Sequence, residues 1–310
     1  MKVSADDFAI AGTFTIARGS KTVARVIRVE LVEGQSMGQG EGVPYARYGE
    51  TVEQALASLN SGDHTNLPKA AANALDCAMW DLRAKQSGKP AWQLTNLEEP
   101  KPVITAYTLS LDSPEAMAEA ARKVAHLPLL KLKLGREGDE QRLKLIRQAL
   151  PRTRLIVDAN EGWTEATIEH MLEHCAGAGV ELVEQPLPAG HDDILARIKH
   201  RTLICADESA HDAASLPLLK GKYDAVNIKL DKTGGLTGAL EMARAAKLHD
   251  LKIMVGCMLA TSLAMAPAFL VAQLADYVDL DGPLLLAQDR EPAIAYINGM
   301  MQPPSRQLWG

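Results

Sequence analysis

The sequence predicts an α/β protein in which a β/α barrel follows a smaller α+β domain, and two observations support this fold class. From residue 103 onward, eight short strand-like runs alternate with helix-like segments. The first hundred residues lack that alternation. Repeated βαβ units produce parallel strands, and a set of eight is typical of a closed barrel. An open doubly wound sheet is the alternative that the pattern leaves.

The first domain is assigned to residues 1–100, the barrel to residues 101–285, and the tail 286–310 is expected to return to the first domain. Residues 23–31 (VARVIRVEL) predict an antiparallel strand before a Gly-rich turn. The Ala-rich residues 67–88 predict a helix with Thr65 or Asn66 near its N-cap, closed by Gly88 and Pro90.

The barrel strands are predicted from apolar runs that end in polar residues. They are residues 103–109, 129–134, 155–160, 182–186, 203–208, 225–231, 253–259 and 277–282. Ser113 and Pro114 predict the N-cap and first position of the first barrel helix. The uncharged stretch 253–275 is interrupted by Gly256 and Pro267, so we interpret it as a buried strand and helix rather than a membrane span.

Composition excludes several classes of protein. The formal net charge is −6 with no basic cluster, which argues against nucleic-acid binding. The four cysteines are scattered without a CxxC pair, so neither a disulfide framework nor a thiolate metal centre is expected, and a reducing cytoplasm fits best. Asp6 and Asp7 stand where a signal peptide would be apolar. No membrane partner is predicted, and a homo-oligomer is left open.

Charged residues lie on one face of several predicted strands, because alternate side chains share a face. Leu130, Leu132 and Leu134 face one way while Lys131 and Lys133 face the other. The charged set has one member per βα unit, about 25 residues apart or a multiple of that, near the carboxyl end of each strand where barrel enzymes place their catalytic groups. Its members are Lys133, Asp158, Glu184, Asp207, Lys229 and Asp279.

These residue types predict metal-assisted proton transfer. Asp158, Glu184 and Asp207 would repel one another unless a cation lay between them, and oxygen ligands of this kind suit Mg²⁺. Mg²⁺ would stabilise an enediolate while a lysine removes the α-proton of a carboxylate substrate. Lys131 would lower the pKa of Lys133 by charge repulsion. Lys229 lies nearly opposite in strand order, so two bases on opposite faces predict inversion by 1,1-proton transfer.

The motifs in which these residues stand resemble the enolase superfamily, in its muconate-lactonizing branch. They are KLKLG (131–135), LIVDANEGW (155–163), ELVEQPLP (181–188), CADES (205–209) and VNIKLDKTGG (226–235). The resemblance covers essentially the whole chain and is strongest to dipeptide epimerases of the L-Ala-D/L-Glu type. It implies a modified TIM (β/α) barrel with an N-terminal α+β capping domain, and one Mg²⁺ per active site.

The resemblance also implies roles for particular residues. Lys133 and Lys229 would be the two bases, and Asp158, Glu184 and Asp207 the Mg²⁺ ligands. It also implies Asp279 and Asp281 at the dipeptide ammonium and Arg18 or Lys21 at the glutamate side-chain carboxylate. Strand alternation groups Asn160 with Asp158 and Asp231 with Lys229, and these two residues and Glu208 are expected next to the catalytic groups. The implied substrate is a small dipeptide such as the Ala-Glu unit of bacterial cell-wall peptide.

Two alternatives accompany this reading. The same scaffold also serves o-succinylbenzoate synthesis and muconate cycloisomerisation, whose anionic substrates lack the amine that Asp279 and Asp281 would bind. A non-catalytic relative would have lost its bases, yet both lysines are present. His170, Glu173 and His174 spell an inverted zinc-protease motif, but the helix places its apolar face elsewhere and turns both histidines toward solvent, so no zinc binding is expected there.

Overall fold

A computed structural model describes all residues 1–310. The chain opens with an antiparallel sheet in the order β1–β2–β3, formed by β1 (Lys2–Ile16), β2 (Gly19–Glu33) and β3 (Ser36–Gly42). Helices α1 (Val52–Asn60), α2 (Lys69–Ser87) and α3 (Ala91–Leu94) follow. Strand β2 includes the predicted residues 23–31, so that prediction is confirmed.

Helix α2 packs closely against β3 because β3 presents glycines to it. A Cβ atom placed on Gly40 would lie 2.2 Å from the carbonyl oxygen of Ala74, so only glycine permits this approach. On the other side of the contact, Ala71, Ala74 and Ala78 pack with Ile27 and Val29 of β2. Small side chains on both elements therefore set the distance between helix and sheet.

The predicted N-cap of α2 is wrong. The helix begins at Lys69 after Pro68, which has no side-chain acceptor. The Glu50 carboxylate takes that role, accepting from the Lys69 amide at 2.5 Å and the Ala70 amide at 3.3 Å. A carboxylate beside the positive end of a helix dipole stabilises the helix as a local cap would. The predicted C-terminal stop is confirmed, since Gly88 adopts a left-handed φ of 70°.

The second part of the chain is an eight-stranded parallel sheet that curls into a barrel. The predicted run 103–109 is divided, because β4 (Val103–Ile104) leaves the barrel and only Tyr107–Leu109 forms the barrel strand β5. The sheet continues in chain order with β6 (Leu129–Lys133), β7 (Arg154–Asp158), β8 (Val180–Glu184), β9 (Leu203–Ala206), β10 (Ala225–Ile228), β11 (Lys252–Gly256) and β12 (Tyr277–Asp279). The Ala106 amide donates to the Val278 carbonyl at 2.8 Å and joins the first strand to the last.

Helices connect most of these strands. They are α4 (Pro114–Lys123), α5 (Asp139–Ala149), α6 (Ile168–Gly177), α7 (Leu216–Leu219), α8 (Leu230–Thr233), α9 (Leu236–Leu248) and α10 (Ser262–Ala272). Ser113 Oγ accepts from the Ala116 amide at 3.2 Å, which confirms the predicted N-cap of α4. Strand β11 and the fully buried α10 confirm the interpretation of residues 253–275. None of the helices has the length and apolar character that crossing a membrane requires.

The inside of the barrel is built in layers. One inward residue from most strands forms an apolar plug, whose buried members are Ala106, Leu129, Ile156, Leu182, Cys205, Ala225 and Met254. Because alternate side chains share a face, the residue two positions further along each strand also points inward. That next layer is polar, and it lies at the carboxyl ends of the strands. The pleat of the sheet thus places the polar groups in a layer directly above the apolar plug.

The C-terminal tail runs back over the first domain. The Ala287 amide donates to the Ala9 carbonyl at 2.8 Å, and Trp309 Nε1 donates to the Cys77 carbonyl at 3.0 Å. The Gly310 amide donates to Asp81 Oδ1 at 2.7 Å. Near its end the tail also forms β13 (Tyr296–Ile297) and β14 (Met300–Met301), and β14 pairs with β4.

Candidate active site

Three carboxylates converge in the polar layer above the apolar plug. Asp158 and Glu184 end strands β7 and β8, and Asp207 directly follows β9. All three residues are buried. Lys131 Nζ lies 2.5 Å from Glu184 Oε2 and 3.3 Å from Asp158 Oδ2, while Lys229 Nζ lies 2.7 Å from Asp207 Oδ2 and 3.8 Å from Glu184 Oε1. Shared ammonium partners therefore tie the three acids into one cluster.

The amines of Lys133 and Lys229 flank this cluster. Lys133 ends β6 and its Nζ lies 2.6 Å from Asp158 Oδ2, whereas Lys229 directly follows β10. In the strand order β6 and β10 are four places apart, half the circuit of an eight-stranded barrel. Both lysines line a cavity of about 410 Å³ between the barrel mouth and the first domain. The Phe14 ring of the first domain covers Lys133, with 5.7 Å between Nζ and the ring centroid.

The ionisation of the three acids depends on their burial and on the neighbouring charges. Burial, with the neighbouring Asp158 and Asp207 charges, raises the pKa of Glu184 to about 7. Burial also opposes ionisation of Asp158, but Lys133 and Lys131 outweigh it and hold the pKa of Asp158 well below its ordinary value. Lys229 and Lys232 do the same for the pKa of Asp207.

The acids in turn raise the pKa values of Lys131 and Lys229. Burial disfavours the charge on Lys131, but Asp279, Glu184 and Asp158 outweigh it and raise its pKa well above the ordinary range. Asp207 and Glu184 raise the pKa of Lys229 in the same way. Lys131 is thus a cation enclosed by acids, and its predicted effect on Lys133 stays a prediction.

The donor set fits a hard divalent cation. The cluster offers carboxylate oxygens from three adjacent strands, which are the ligands that Mg²⁺ prefers. Asn160 Oδ1 and Asn227 Oδ1 are buried nearby without a hydrogen-bond partner. The Asn227 amide nitrogen donates to Glu184 Oε1 at 2.8 Å and orients that carboxylate. A divalent ion among Asp158, Glu184 and Asp207 would also offset the repulsion by Asp158 and Asp207 that, after burial, raises the pKa of Glu184.

A second acidic pair lies at the far side of the cavity. Asp279 Oδ2 accepts from Lys131 Nζ at 2.6 Å, and its other oxygen is buried without a partner. Asp281 Oδ2 accepts from the Thr108 amide at 2.6 Å. Burial and the Asp279 charge raise the pKa of Asp281 to about 7. This side of the cavity therefore has two buried carboxyl groups and one carboxylate oxygen without a partner.

The loop between β1 and β2 covers the cavity and is anchored by acids of the barrel. One Arg18 nitrogen donates to Glu161 Oε2 at 2.9 Å, and the other donates to Glu208 Oε1 at 2.6 Å. Glu161 also holds Arg47 through two hydrogen bonds. Lys21, in contrast, makes no ion pair and lies over the Tyr45 ring, 4.9 Å from its centroid. Of the two predicted cations, Lys21, near the start of β2, is the one without an acidic partner.

Comparison with known proteins decides the family. A model of the enolase C-terminal domain-like family matches residues 115–307. An N-acetyl-D-glutamate racemase from a Pseudoalteromonas species is 43% identical over 92% of this chain and 95% of its own length. The L-Ala-D/L-Glu epimerase of Escherichia coli K12 is 42% identical over 96% of this chain and 98% of its own length. The chain belongs to the enolase C-terminal domain-like family.

Solved structures of this enolase-like family have the same fold as the chain. An enolase family member from Agrobacterium tumefaciens, with homology to dipeptide epimerases and with bound sodium and L-Ala-L-Glu, superposes with a TM-score of 0.96 at 49% identity, covering 100% of this chain and 99% of that one. A dipeptide epimerase from Enterococcus faecalis complexed with Mg and L-Leu-L-Tyr superposes with a TM-score of 0.91 at 29% identity, covering 98% and 96%. The predicted fold class and the resemblance to dipeptide epimerases are confirmed.

The enolase-like site differs from the sequence prediction at Asp231. The strand ends at Ile228, and Asp231 lies on the short helix α8. Its Oδ1 accepts from the Val43 amide at 2.9 Å and from Asn73 Nδ2 at 2.8 Å. It therefore joins the barrel to the first domain instead of neighbouring the catalytic groups. The turn into α8 breaks the alternation that had grouped Asp231 with Lys229.

Sequence reasoning overlooked two buried residues that hold the acids in place. Lys232 Nζ lies 2.6 Å from Asp207 Oδ1 and also donates to the Asp207 carbonyl at 2.7 Å. Gln185 Oε1 accepts from the amides of Asp207 and Ser209 at 2.9 and 3.0 Å. The lysine belongs to the KLDK segment, where a charged residue three places after Lys229 on a helical turn was the available signal.

Proposed function

We propose that this chain is a Mg²⁺-dependent epimerase that inverts the α-carbon of the C-terminal residue of dipeptides such as L-Ala-D/L-Glu. One observation carries the proposal: Lys133 and Lys229 approach the same cavity from strands half a barrel apart, with the acid cluster between them. A single base would suffice for elimination or one-sided exchange. Two amines on opposite sides suit removal of a proton from one face and delivery to the other.

The proposed metal ligands are Asp158, Glu184 and Asp207. When bound, the metal ion would stabilise the negative charge that develops on the substrate carboxylate as its α-carbon loses a proton. The chain's own residues perform the other tasks. Lys133 or Lys229 removes the α-proton, the opposite lysine donates a proton, and Phe14 restricts access of water to Lys133.

A lysine must lose its own proton before it can act as a base. In the structure Asp207 holds Lys229 in its charged form, and Asp158 pairs with Lys133. Both acids are proposed ligands of the metal. Once the charge of Asp207 is neutralised there, the field that keeps Lys229 protonated weakens. Metal occupancy and activation of Lys229 are therefore coupled through Asp207.

The proposed substrate orientation follows from charge. The dipeptide carboxylate faces the cluster, and its ammonium group faces Asp279 and Asp281, where one Asp279 oxygen has no partner. A glutamate side chain would extend toward the β1–β2 loop, where Lys21 is unpaired and Arg18 is held by Glu161 and Glu208. The Agrobacterium neighbour with bound L-Ala-L-Glu supports a dipeptide of this type.

A second candidate is racemisation of N-acylated glutamate. The 43% identity to an N-acetyl-D-glutamate racemase favours it. Such a substrate has the same α-carbon, amide and both carboxylates, but an uncharged acyl methyl group stands where the dipeptide has the alanyl carbon that carries its ammonium group. Asp279 and Asp281 argue for the dipeptide, because a buried acidic pair gains nothing from a neutral acyl group. The alternatives of o-succinylbenzoate synthesis and muconate cycloisomerisation are not favoured, since the relatives named above are racemases and epimerases.

Proton exchange in D₂O tests the proposal directly. The protein with Mg²⁺ is incubated with L-Ala-L-Glu, L-Ala-D-Glu or either enantiomer of N-acetylglutamate, and the glutamyl α-proton is followed by NMR. We expect exchange with inversion on both dipeptides, and complete loss of exchange after chelation of the metal. Absence of dipeptide exchange alongside turnover of N-acetylglutamate would establish the second candidate instead.

A pair of variants on one strand supplies the control. Glu184→Gln removes a proposed metal ligand, whereas Glu181→Gln changes an outward glutamate of β8 that pairs with Arg154. We expect only the first substitution to abolish exchange and to weaken Mg²⁺ binding measured by calorimetry. Equal Mg²⁺ affinity in both variants would contradict the ligand assignment.

A further inference from the structure

Two histidines and a glutamate meet on the outer surface of the barrel, away from the acid cluster. His170 and His174 lie four residues apart on α6, and Glu140 lies in the first turn of the neighbouring α5. One ligand atom from each residue lies within 4.8 Å of the others. We propose that Glu140, His170 and His174 form a surface site for a divalent transition-metal ion of the Zn²⁺, Ni²⁺ or Cu²⁺ class.

The helix holds both imidazoles on one side. Residues four apart on a helix are neighbours on its surface. The opposite face of α6 is anchored in the core by Ile168, Met171, Leu172 and Cys175. This burial fixes the rotation of the helix, and the two imidazole rings lie with 4.5 Å between their centroids. The pair is therefore prepositioned by the fold, although each ring is exposed to solvent.

The distances are those of a site that needs little rearrangement. Glu140 Oε1 lies 2.7 Å from His170 Nε2, and Glu140 Oε2 lies 3.9 Å from His174 Nε2. Ligands about 2.1 Å from a tetrahedral Zn²⁺ stand about 3.4 Å from each other. The observed separations fall on either side of that value. Rotation of exposed side chains closes the difference, because their side chains are 42–58% exposed and no core packing opposes the movement.

The ligand chemistry distinguishes this site from the acid cluster. Two imidazole nitrogens and one carboxylate suit Zn²⁺, Ni²⁺ and Cu²⁺, whereas Mg²⁺ prefers oxygen ligands throughout. Three protein ligands leave a position for water or another group. A bound ion would join α5 to α6 outside the barrel, and the proposal is independent of the reaction at the acid cluster.

The charges around the site are mixed. Glu137 and Glu173 line the same recess between the helices and favour a cation, while Lys144 and Arg147 oppose it. The Arg147 guanidinium is engaged by carbonyl groups, including that of Ala178 at 2.6 Å. Lys144 forms no ion pair, so its amine is free to turn away when a cation binds.

Calorimetric titration with Zn²⁺ tests the site. The full chain is titrated at pH 8 with Mg²⁺ in excess, so that the acid cluster is occupied by its own ion. We expect the His170→Ala/His174→Ala double variant to bind about one Zn²⁺ fewer per chain than the wild type. His126→Ala removes an exposed histidine outside the cluster and should bind as the wild type does.

A spectroscopic readout separates this site from nonspecific binding. With one equivalent of Cu²⁺, the wild type should show an electron paramagnetic resonance signal with hyperfine coupling to two nitrogens, and the double variant should lack it. Unchanged Zn²⁺ stoichiometry in the double variant, or a Cu²⁺ signal without nitrogen coupling, would overturn the proposal. Dipeptide exchange should be equal in all three proteins, so failure here leaves the proposed function untouched.

Discussion

Substitution of Asp279 by Asn tests the substrate assignment most sharply, because it removes charge with little change in shape. Asp279 has one oxygen 2.6 Å from Lys131 Nζ and another that is buried without a partner. The free oxygen is the one that would meet a dipeptide ammonium group. The substitution also alters the surroundings of Lys131, which would affect every substrate. The informative quantity is therefore the ratio of kcat/KM for L-Ala-L-Glu to kcat/KM for N-acetyl-L-glutamate.

The magnitude follows from the burial of the pair. Two unit charges about 4 Å apart near a protein surface interact by about 4 kcal/mol at an effective dielectric of about 20. Removing one partner of a buried charged pair costs about 2–5 kcal/mol in binding. Asp281 remains as a second acid, so we expect the lower part of that range, about 2–3 kcal/mol. At about 1.36 kcal/mol per factor of ten, the ratio should fall roughly 30- to 150-fold.

The assay is α-proton exchange followed by NMR on both substrates, with Mg²⁺ binding measured in parallel. Asp193→Asn is the control, since its side chain is 89% exposed and lies outside the cavity. Mg²⁺ affinity should be unchanged in both variants. An unchanged substrate ratio in Asp279→Asn would refute the ammonium assignment, and if kcat/KM falls equally on both substrates the effect would be located at Lys131.

Three further outcomes are expected. Lys133→Ala should slow α-proton exchange of one dipeptide epimer, and Lys229→Ala exchange of the other, each by about 10²- to 10⁴-fold. Equal loss of exchange for both epimers in each variant would contradict the assignment of the two lysines to opposite faces. Because the pKa of Asp281 is raised to about 7, this acid becomes charged only as the pH rises through that value. KM for the dipeptide should therefore rise as the pH falls from 8 to 6, whereas KM for N-acetylglutamate should not show this rise. Gly40→Ala would place a Cβ atom 2.2 Å from the Ala74 carbonyl oxygen and should lower the free energy of unfolding by about 1–3 kcal/mol in urea titration, and an unchanged midpoint would show that α2 can move away.

The convergence of the acids was predictable because it depends on two local regularities. Side chains alternate along a strand, and one polar residue recurs at the end of successive βα units. Asp158 and Glu184 obey both rules, and the structure places them in one cluster with Asp207. Asp231 stands two residues after Lys229 but lies within α8, so the strand alternation no longer applies to it. The pattern thus held for the residue directly after a strand, as at Asp207 and Lys229, and failed where the next helix had begun.

The sequence was sufficient to predict the barrel, the capping domain and the residue types of the site, because strand and helix periodicity can be recognised from consecutive residues. Contacts between residues far apart in the chain depended on the tertiary structure. Glu50 caps α2, Lys232 holds Asp207, and Arg18 is engaged by Glu161 and Glu208. No local pattern encodes these pairings, since each depends on where two separate elements come to lie once the barrel has formed beneath the first domain.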